Sequence, residues 1–289
     1  MAAHGNTRRV AVTGASGNIG RALVRALRER GDEVVEISRS SGWDLKSGEP
    51  APVGGCDAVI HLAGEPVAQR WKDEVKREIR ESRVAGTRSV VRGMTECEDP
   101  PRVLISQSAS GYYGPRGDEP VDETAPSGGD FLAEVTAAWE AEAEKAPGRV
   151  VLCRTGVVLS KDGGALETML PFFKLGGGGP VAGGAQYMPW IALEDEVGAL
   201  LFCLDDDEVS GPVNLSAPNP VTNKEFSKAL GRALHRPAFA PVPAVAIKLL
   251  YGEMASIVTT GVRMEPRALL RHGYEFRFPL LDAALDAEL

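Results

Sequence analysis

"VAVTGASGNIG", Val10 to Gly20, runs from an apolar β-branched stretch through three glycines into a helical sequence. A strand that turns into a helix here leaves the helix's first N–H groups without partners, and with the helix dipole they favour an anion. Gly14 permits a tight turn, Gly17 lets the backbone approach a pyrophosphate, and Gly20 lets the helix pack on the strand. The bland alternative is a tight turn that binds nothing. The strand–glycine–helix context favours a dinucleotide.

The next strand, "VVEISRSS" from Val34 to Ser41, decides which dinucleotide. An acid at its end would accept a hydrogen bond from the adenosine ribose 2′-hydroxyl and repel a 2′-phosphate. The chain carries Ser38 and Arg39 there, a hydroxyl and a guanidinium able to pair bidentately with phosphate. NADP(H) is therefore expected over NAD(H), against the alternative of a surface arginine with no ligand.

Outward from this point, short apolar runs alternate with helical stretches. "RVAVTG", "EVVEIS", "DAVIHLAG", "RVLISQSAS" and "RVVLCRTGVVLS" read as strands. "NIGRALVRALRERG", the long charged stretch from Trp71 to Glu96, and "FLAEVTAAWEAEAEKA" read as helices. This alternation predicts an α/β chain with a doubly wound parallel sheet of Rossmann type, its ligand at the carboxyl ends of the strands. Residues 1–160 form that domain, with segments near 190–216 returning to it. Residues 161–289 form a smaller, mainly helical C-terminal substrate lobe, interleaved with the first. In it "NKEFSKALGRAL" follows an Asn cap, "PAVAIKLLYGEMASIVTTG" is a second helical stretch, and "GGGGP", Gly176 to Pro180, reads as mobile chain and a candidate lid.

Composition bounds the partners. With 289 residues, 43% hydrophobic, the chain can bury a substantial core, and a net charge of −8 argues against a general nucleic-acid or membrane-surface binder. No run approaches the ~18 apolar residues of a membrane span. The N-terminus has no apolar signal region, which points to the cytoplasm. Cys56, Cys97, Cys153 and Cys203 form no CxxC pair, and His4, His61, His235 and His272 lack ligand spacing. Buried thiols and no metal are expected.

The spacing TGxxGxxG, from Thr13, resembles the short-chain dehydrogenase/reductase superfamily, above all its extended, epimerase-like branch. Asp44-Leu45 resembles the pair that brackets adenine there, and "HLAG", His61 to Gly64, the segment lining adenine and ribose. "HLAGEP", Arg70-Trp71, "SRVAGT", "SASGYYG", "GGDFLAEVTAAWE", "RTGVVLSKDGGAL", "LPFFKLGGGGPVAGGAQYMPWIALED", "GPVNLSAPNPVTNKEF" and "LLYGEMA" follow in order. Together they resemble the atypical extended family called "epimerase family protein", once mislabelled as a cell-division inhibitor. Its members end in a domain of unknown function, matching roughly residues 240–286. The resemblance covers nearly the whole chain. It implies NADP(H) binding and places Ser16, Gly17, Asn18, Ile19, Ser38, Arg39, Leu62, Ala63, Gly64, Glu65, Ser106, Gln107 and Ser108 beside the cofactor, with Arg83 approaching it. Arg154 is a further candidate to orient substrate or cofactor, against the alternative of an ion pair with Asp or Glu.

The resemblance also exposes a gap. Ordinary members carry Tyr-x-x-x-Lys on one helix face with a Ser or Thr nearby; the lysine lowers the tyrosine pKa so that its phenol passes a proton. This chain has no Tyr-x-x-x-Lys. Placing Glu140 on the glutamate that commonly follows the pair leaves Leu132 at the tyrosine position and Thr136 at the lysine position. Ala109 takes the serine position, or Ser108 with a one-residue shift. Tyr112 or Tyr113 is then the best proton donor, each with packing against the sheet end as the alternative. Glu65 is a second candidate base, or else a carboxylate that only accepts hydrogen bonds. Asp195 is expected to cap its helix.

Two functions stay open. One is an NADP-dependent oxidoreductase or epimerase acting on a small polar molecule, a nucleotide sugar among the candidates, through non-standard groups. The other is an inactive NADP(H)-binding sensor or scaffold. The missing pair favours the second; the polar and aromatic cleft sequence favours the first. Related folds often dimerise through a four-helix contact, which leaves a homodimer open.

Overall fold

The structure, a computed structural model, describes residues 7–289. His4 and the expectation about the N-terminal segment lie outside the described residues. Six strands make one parallel sheet: β1 (Arg9–Thr13), β2 (Glu33–Ile37), β3 (Ala58–His61), β4 (Val103–Ala109), β5 (Arg149–Thr155) and β6 (Gly211–Leu215). Their spatial order is β6-β5-β4-β3-β1-β2. The chain goes from β1 to the edge strand β2, then crosses back over β1 to β3. The order reverses there, the point at which open sheets of this kind take a ligand, at the carboxyl ends of β1 and β3.

Helices α1 (Asn18–Glu29), α2 (Asp73–Glu96), α3 (Phe131–Ala143), α4 (Gly164–Lys174), α5 (Leu193–Asp205), α6 (Asn223–Ala233) and α7 (Ala244–Tyr251) follow in chain order. The central strands β1 and β3 are largely apolar because both faces of the sheet are covered there. Val10 and Val12 pack with Leu23 and Leu27 of α1 and Val197 and Leu200 of α5. Ala11, one residue out of step, packs on the other face with Val90 and Met94 of α2 and Ala143 of α3. Each large aliphatic side chain buried this way contributes roughly 1.5–3 kcal/mol. Together these contacts fix the register that carries the site.

The second lobe is mainly helical. Leu166, Leu170 and Phe173 of α4 meet Phe226 and Leu230 of α6, together with Leu281 and Leu285 of the last helix, Leu281–Glu288. No helix among the described residues is long and apolar enough to cross a membrane.

Several local expectations are corrected. The run read as one strand from Arg149 to Ser160 breaks at Gly156, where a Cβ would stand 2.6 Å from Pro189 O. Val157–Leu159 leaves the main sheet and pairs with Trp190–Ala192. Helix α4 went unread because Pro171 interrupts its pattern. The cap of α6 is Thr222, in a capping box with Glu225; Asn223 instead accepts from Val181 N at 2.8 Å. Asp195 is not a cap: it lies buried in the first turn of α5 and accepts from Arg277 N (2.7 Å) and Phe278 N (2.9 Å). The second half of the glycine run is packed, since a Cβ on Gly179 would come within 2.1 Å of Ala240 O, while Gly177 is exposed.

Candidate functional site

The glycine turn sits at the reversal of strand order. Gly14 has φ +71°, and a Cβ on it would stand 2.9 Å from Ala63 N, so the turn presses against the chain leaving β3. Gly17 caps α1 with no side-chain hydrogen bond, which leaves the first N–H groups of the helix available. A Cβ on Gly20 would meet Gly14 O at 2.2 Å. That neighbour is backbone and cannot swing away. Gly20→Ala is expected to cost about 1–3 kcal/mol and to displace the turn; urea denaturation showing a loss below that range would contradict the close packing.

At the end of β2, Ser38 opens a short turn, Arg39–Ser41, with its N–H donating to Ser41 Oγ at 2.8 Å. Glu36 pairs with Arg28. Arg39 is exposed and has no ionic partner among the described residues. The turn thus presents a hydroxyl and a free guanidinium beside the crevice.

The chain leaving β3 is stapled from below. Thr13 Oγ1 lies 2.7 Å from His61 Nδ1, and His61 Nε2 lies 3.1 Å from Thr87 Oγ1. Complete burial pushes His61 down to about 4, so the ring is neutral and structural. Leu62 N donates to Thr13 O and Ala63 N to Thr13 Oγ1. Arg83 Nη1 donates to Glu65 O (3.0 Å) and its guanidinium lies over the Trp139 ring; burial pulls it down to about 10. The Glu65 carboxylate pairs with Lys46 at 3.2 Å and is 39% exposed, so the dry setting of a base is missing. Leu45 packs where a Cβ on Gly86 would come within 2.2 Å of its Cδ1, while Asp44 turns back on Lys46 N.

Sheet register then brings together residues far apart in sequence. Ser108 of β4 stands opposite Arg154 of β5, and Arg154 opposite Asn214 of β6. Arg154 holds Glu140 bidentately, Nε to Oε1 at 2.9 Å and Nη2 to Oε2 at 2.8 Å. Its Nη1 donates to Tyr113 Oη (3.0 Å) and to Glu123 O (3.2 Å). Ser108 Oγ donates to Glu140 Oε1 at 2.5 Å, and Tyr113 Oη to Asn214 Oδ1 at 2.6 Å.

This network corrects three expectations. Arg154 forms the ion pair that was the alternative reading, with its donors spent on Glu140, Tyr113 and Glu123 O inside the fold. Ser108 is 2% exposed with its proton committed. Tyr113 has no exposed surface, burial pushes it up to about 12, and its hydroxyl is committed to Asn214, which matches the packing alternative. Ser106 is buried as well; of Ser106, Gln107 and Ser108, only Gln107 is partly exposed. Tyr112 remains: it is half-buried, its ring lies 3.4 Å from the Arg154 guanidinium carbon, and its hydroxyl has no partner among the described residues. Beside it, a Cβ on Gly111 would stand 3.3 Å from Leu132 Cβ and 3.8 Å from Thr136 Oγ1. Thr136 donates to Leu132 O.

The model of the NAD dependent epimerase/dehydratase family matches residues 10–216, from β1 through β6. The chain belongs to that family. A second model, a domain of unknown function (DUF1731), matches residues 242–288, from just before α7 into the last helix. "Epimerase family protein SDR39U1" of Mus musculus is 40% identical over 96% of this chain and 98% of its own length. "Epimerase family protein Mb2239" of Mycobacterium bovis is 42% identical over 96% of each. The crystal structure of human epimerase family protein SDR39U1 (isoform2) with NADPH superposes with a TM-score of 0.89 at 36% identity, covering 97% of this chain and 98% of that one. The fold is that of the extended short-chain dehydrogenases/reductases.

Sequence reading missed Asn214, Thr155 and Glu196, and used Glu140 only as an alignment mark. A polar residue inside an otherwise apolar strand, as Asn214 is in "GPVNLS", was the available signal. Glu196 had none of its own, since it follows two other acids.

Proposed function

We propose that the chain is an NADP(H)-dependent, epimerase-like oxidoreductase that acts on a small polar substrate through a non-standard site. The observation that carries the cofactor choice is Arg39, exposed and unpaired beside Ser38 at the end of β2. A guanidinium there pairs with a 2′-phosphate where an acid would repel it. The residues fit the dinucleotide elsewhere too: Gly14 and Gly20 keep the turn tight against its neighbours, Gly17 caps α1 without a side chain in the way of a diphosphate, Ser16 precedes the helix that Asn18 and Ile19 open, and Leu62 to Glu65 follow β3 beside that turn. When bound, NADP(H) supplies or accepts hydride.

The chain's own groups then handle the proton. Tyr112 is the one residue of the expected catalytic set that combines partial exposure with an uncommitted hydroxyl. Leu132 and Thr136 fill the usual relay positions without an ionisable group, which supports the second reading, a binding protein that has lost catalysis. The test is NADPH with a broad panel of small carbonyl compounds, followed by the loss of reduced-nicotinamide absorbance. Turnover supports the enzyme. No turnover, with NADPH bound tightly, supports the sensor.

A further inference from the structure

Among the described residues two buried side-chain oxygens lack a hydrogen-bond donor, Gln107 Oε1 and Glu196 Oε2. Such orphans are rare enough in folded proteins to need a cause. They belong to adjoining groups. Gln107 Nε2 donates to Thr155 Oγ1 at 2.6 Å, and Thr155 Oγ1 donates to Glu196 Oε1 at 2.9 Å. The Gln107 amide also acts on the Glu196 carboxyl as a hydrogen-bonding neighbour. The series starts at Gln107, partly exposed at the carboxyl end of β4, and ends at Glu196, which is fully buried in α5. One more proton would satisfy both orphans at once.

We propose that Glu196 is a positioning residue that keeps its carboxylic proton in the folded protein and donates it from Oε2 to Gln107 Oε1, closing a three-member ring that holds the Gln107 amide at the crevice. Each member then gives one hydrogen bond and takes one: Gln107 to Thr155, Thr155 to Glu196, Glu196 to Gln107. Ionised Glu196 cannot close the ring. If the Gln107 amide turned over to donate to Oε2, Thr155 would follow its oxygen and Glu196 Oε1 would be stranded, leaving a buried charge half solvated. Burial pushes Glu196 up to about 8 against the Thr155 and Gln107 bonds, which act the other way. The titratable groups around it are Asp195, Cys153, Cys203 and the Tyr274 hydroxyl; none of them is a cation.

The role in ligand binding rests on the reading that the crevice takes NADP(H); the ring itself does not. Its pH dependence has a definite sign. In the unfolded chain the carboxyl loses its proton near its ordinary 4.5, whereas in the fold it holds it to about 8. Stability is therefore fully present below 4.5, falls as pH rises across that window, and levels off above it.

Glu196→Gln is the decisive variant, because its amide donates to Gln107 and accepts from Thr155 as the protonated acid does, without titrating. Glu196→Leu, which removes both bonds, is the control. The expected result is a melting temperature for Glu196→Gln equal to the wild type's at acid pH and several degrees above it at pH 9. Glu196→Leu falls below Glu196→Gln at every pH. The NADPH Kd of the wild type rises about fivefold or more above pH 8 while that of Glu196→Gln stays flat. A Glu196→Gln melting temperature that tracks below the wild type's by the same amount at all pH values would overturn the proposal, because the carboxylate charge would then be what the fold needs. Flat wild-type NADPH affinity together with the expected stability pattern would overturn the positioning role and leave only the ring. Absence of NADPH binding by the wild type would instead count against the functional reading, while the melting data, collected without cofactor, would still decide the ring.

Discussion

Arg154→Ala is expected to lose about 3–5 kcal/mol of stability, because it strands a buried carboxylate. Arg154 and Glu140 have side chains 4% and 7% exposed, and after the substitution only Ser108 Oγ would still donate to Glu140. Tyr113 Oη would lose a donor, as would Glu123 O, and the Tyr112 ring would lose the cation beneath it. Arg154→Lys should recover little, since an ammonium cannot reproduce the forked contact with both carboxylate oxygens. Removing both charges, Arg154→Leu with Glu140→Leu, should recover a substantial part, because no uncompensated charge is left behind. Urea denaturation of the four proteins checks this. A single Arg154→Ala variant within about 1 kcal/mol of the wild type, the size of an exposed ion pair, would show that Glu140 finds other solvation.

Tyr112→Phe is expected to lower turnover by roughly a hundred- to ten-thousandfold, the range for removal of a general acid or base. The substitution keeps the ring against Arg154 and Tyr113 and takes away only a hydroxyl that bonds to nothing else described. Fold and NADPH affinity should therefore be unchanged, and the loss should appear in kcat and kcat/KM alike. Tyr113→Phe is the contrast. It leaves Asn214 Oδ1 and Arg154 Nη1 short of a partner, so it should lower stability by about 1–3 kcal/mol and spare turnover. Reversed results would return the proton to Tyr113. Equal turnover in wild type and Tyr112→Phe would remove the phenol from the chemistry altogether.

The fold around the glycine turn was largely legible because its signals are local. Three glycines, the apolar runs on either side and the residues closing β2 all act within a few positions of one another. The network around Arg154 was not, because its contacts are made by sheet register rather than by sequence spacing. Tyr113 and Asn214 are 101 residues apart and become partners only when β4, β5 and β6 line up. Arg154 reads the same in sequence whether it faces a ligand or Glu140; burial alone separates the two cases. The alternation rule misled at Gly156, where "RTGVVLS" continues the apolar pattern although Pro189 O blocks a straight path. Pro171 hid α4 by the opposite effect: the burial of Leu166, Leu170 and Phe173 carries a helix through a residue that normally ends one.

The claim beneath the functional reading is that Arg39 selects the phosphorylated cofactor. Titrating the wild type and Arg39→Ala with NADPH and with NADH, at one fixed ionic strength, tests it directly. The account predicts that the wild type prefers NADPH by about tenfold or more, the worth of a hydrogen-bonded charge pair, and that Arg39→Ala loses that preference with NADH affinity unchanged. Equal affinity of the wild type for both cofactors, or an NADPH affinity indifferent to Arg39→Ala, would contradict it.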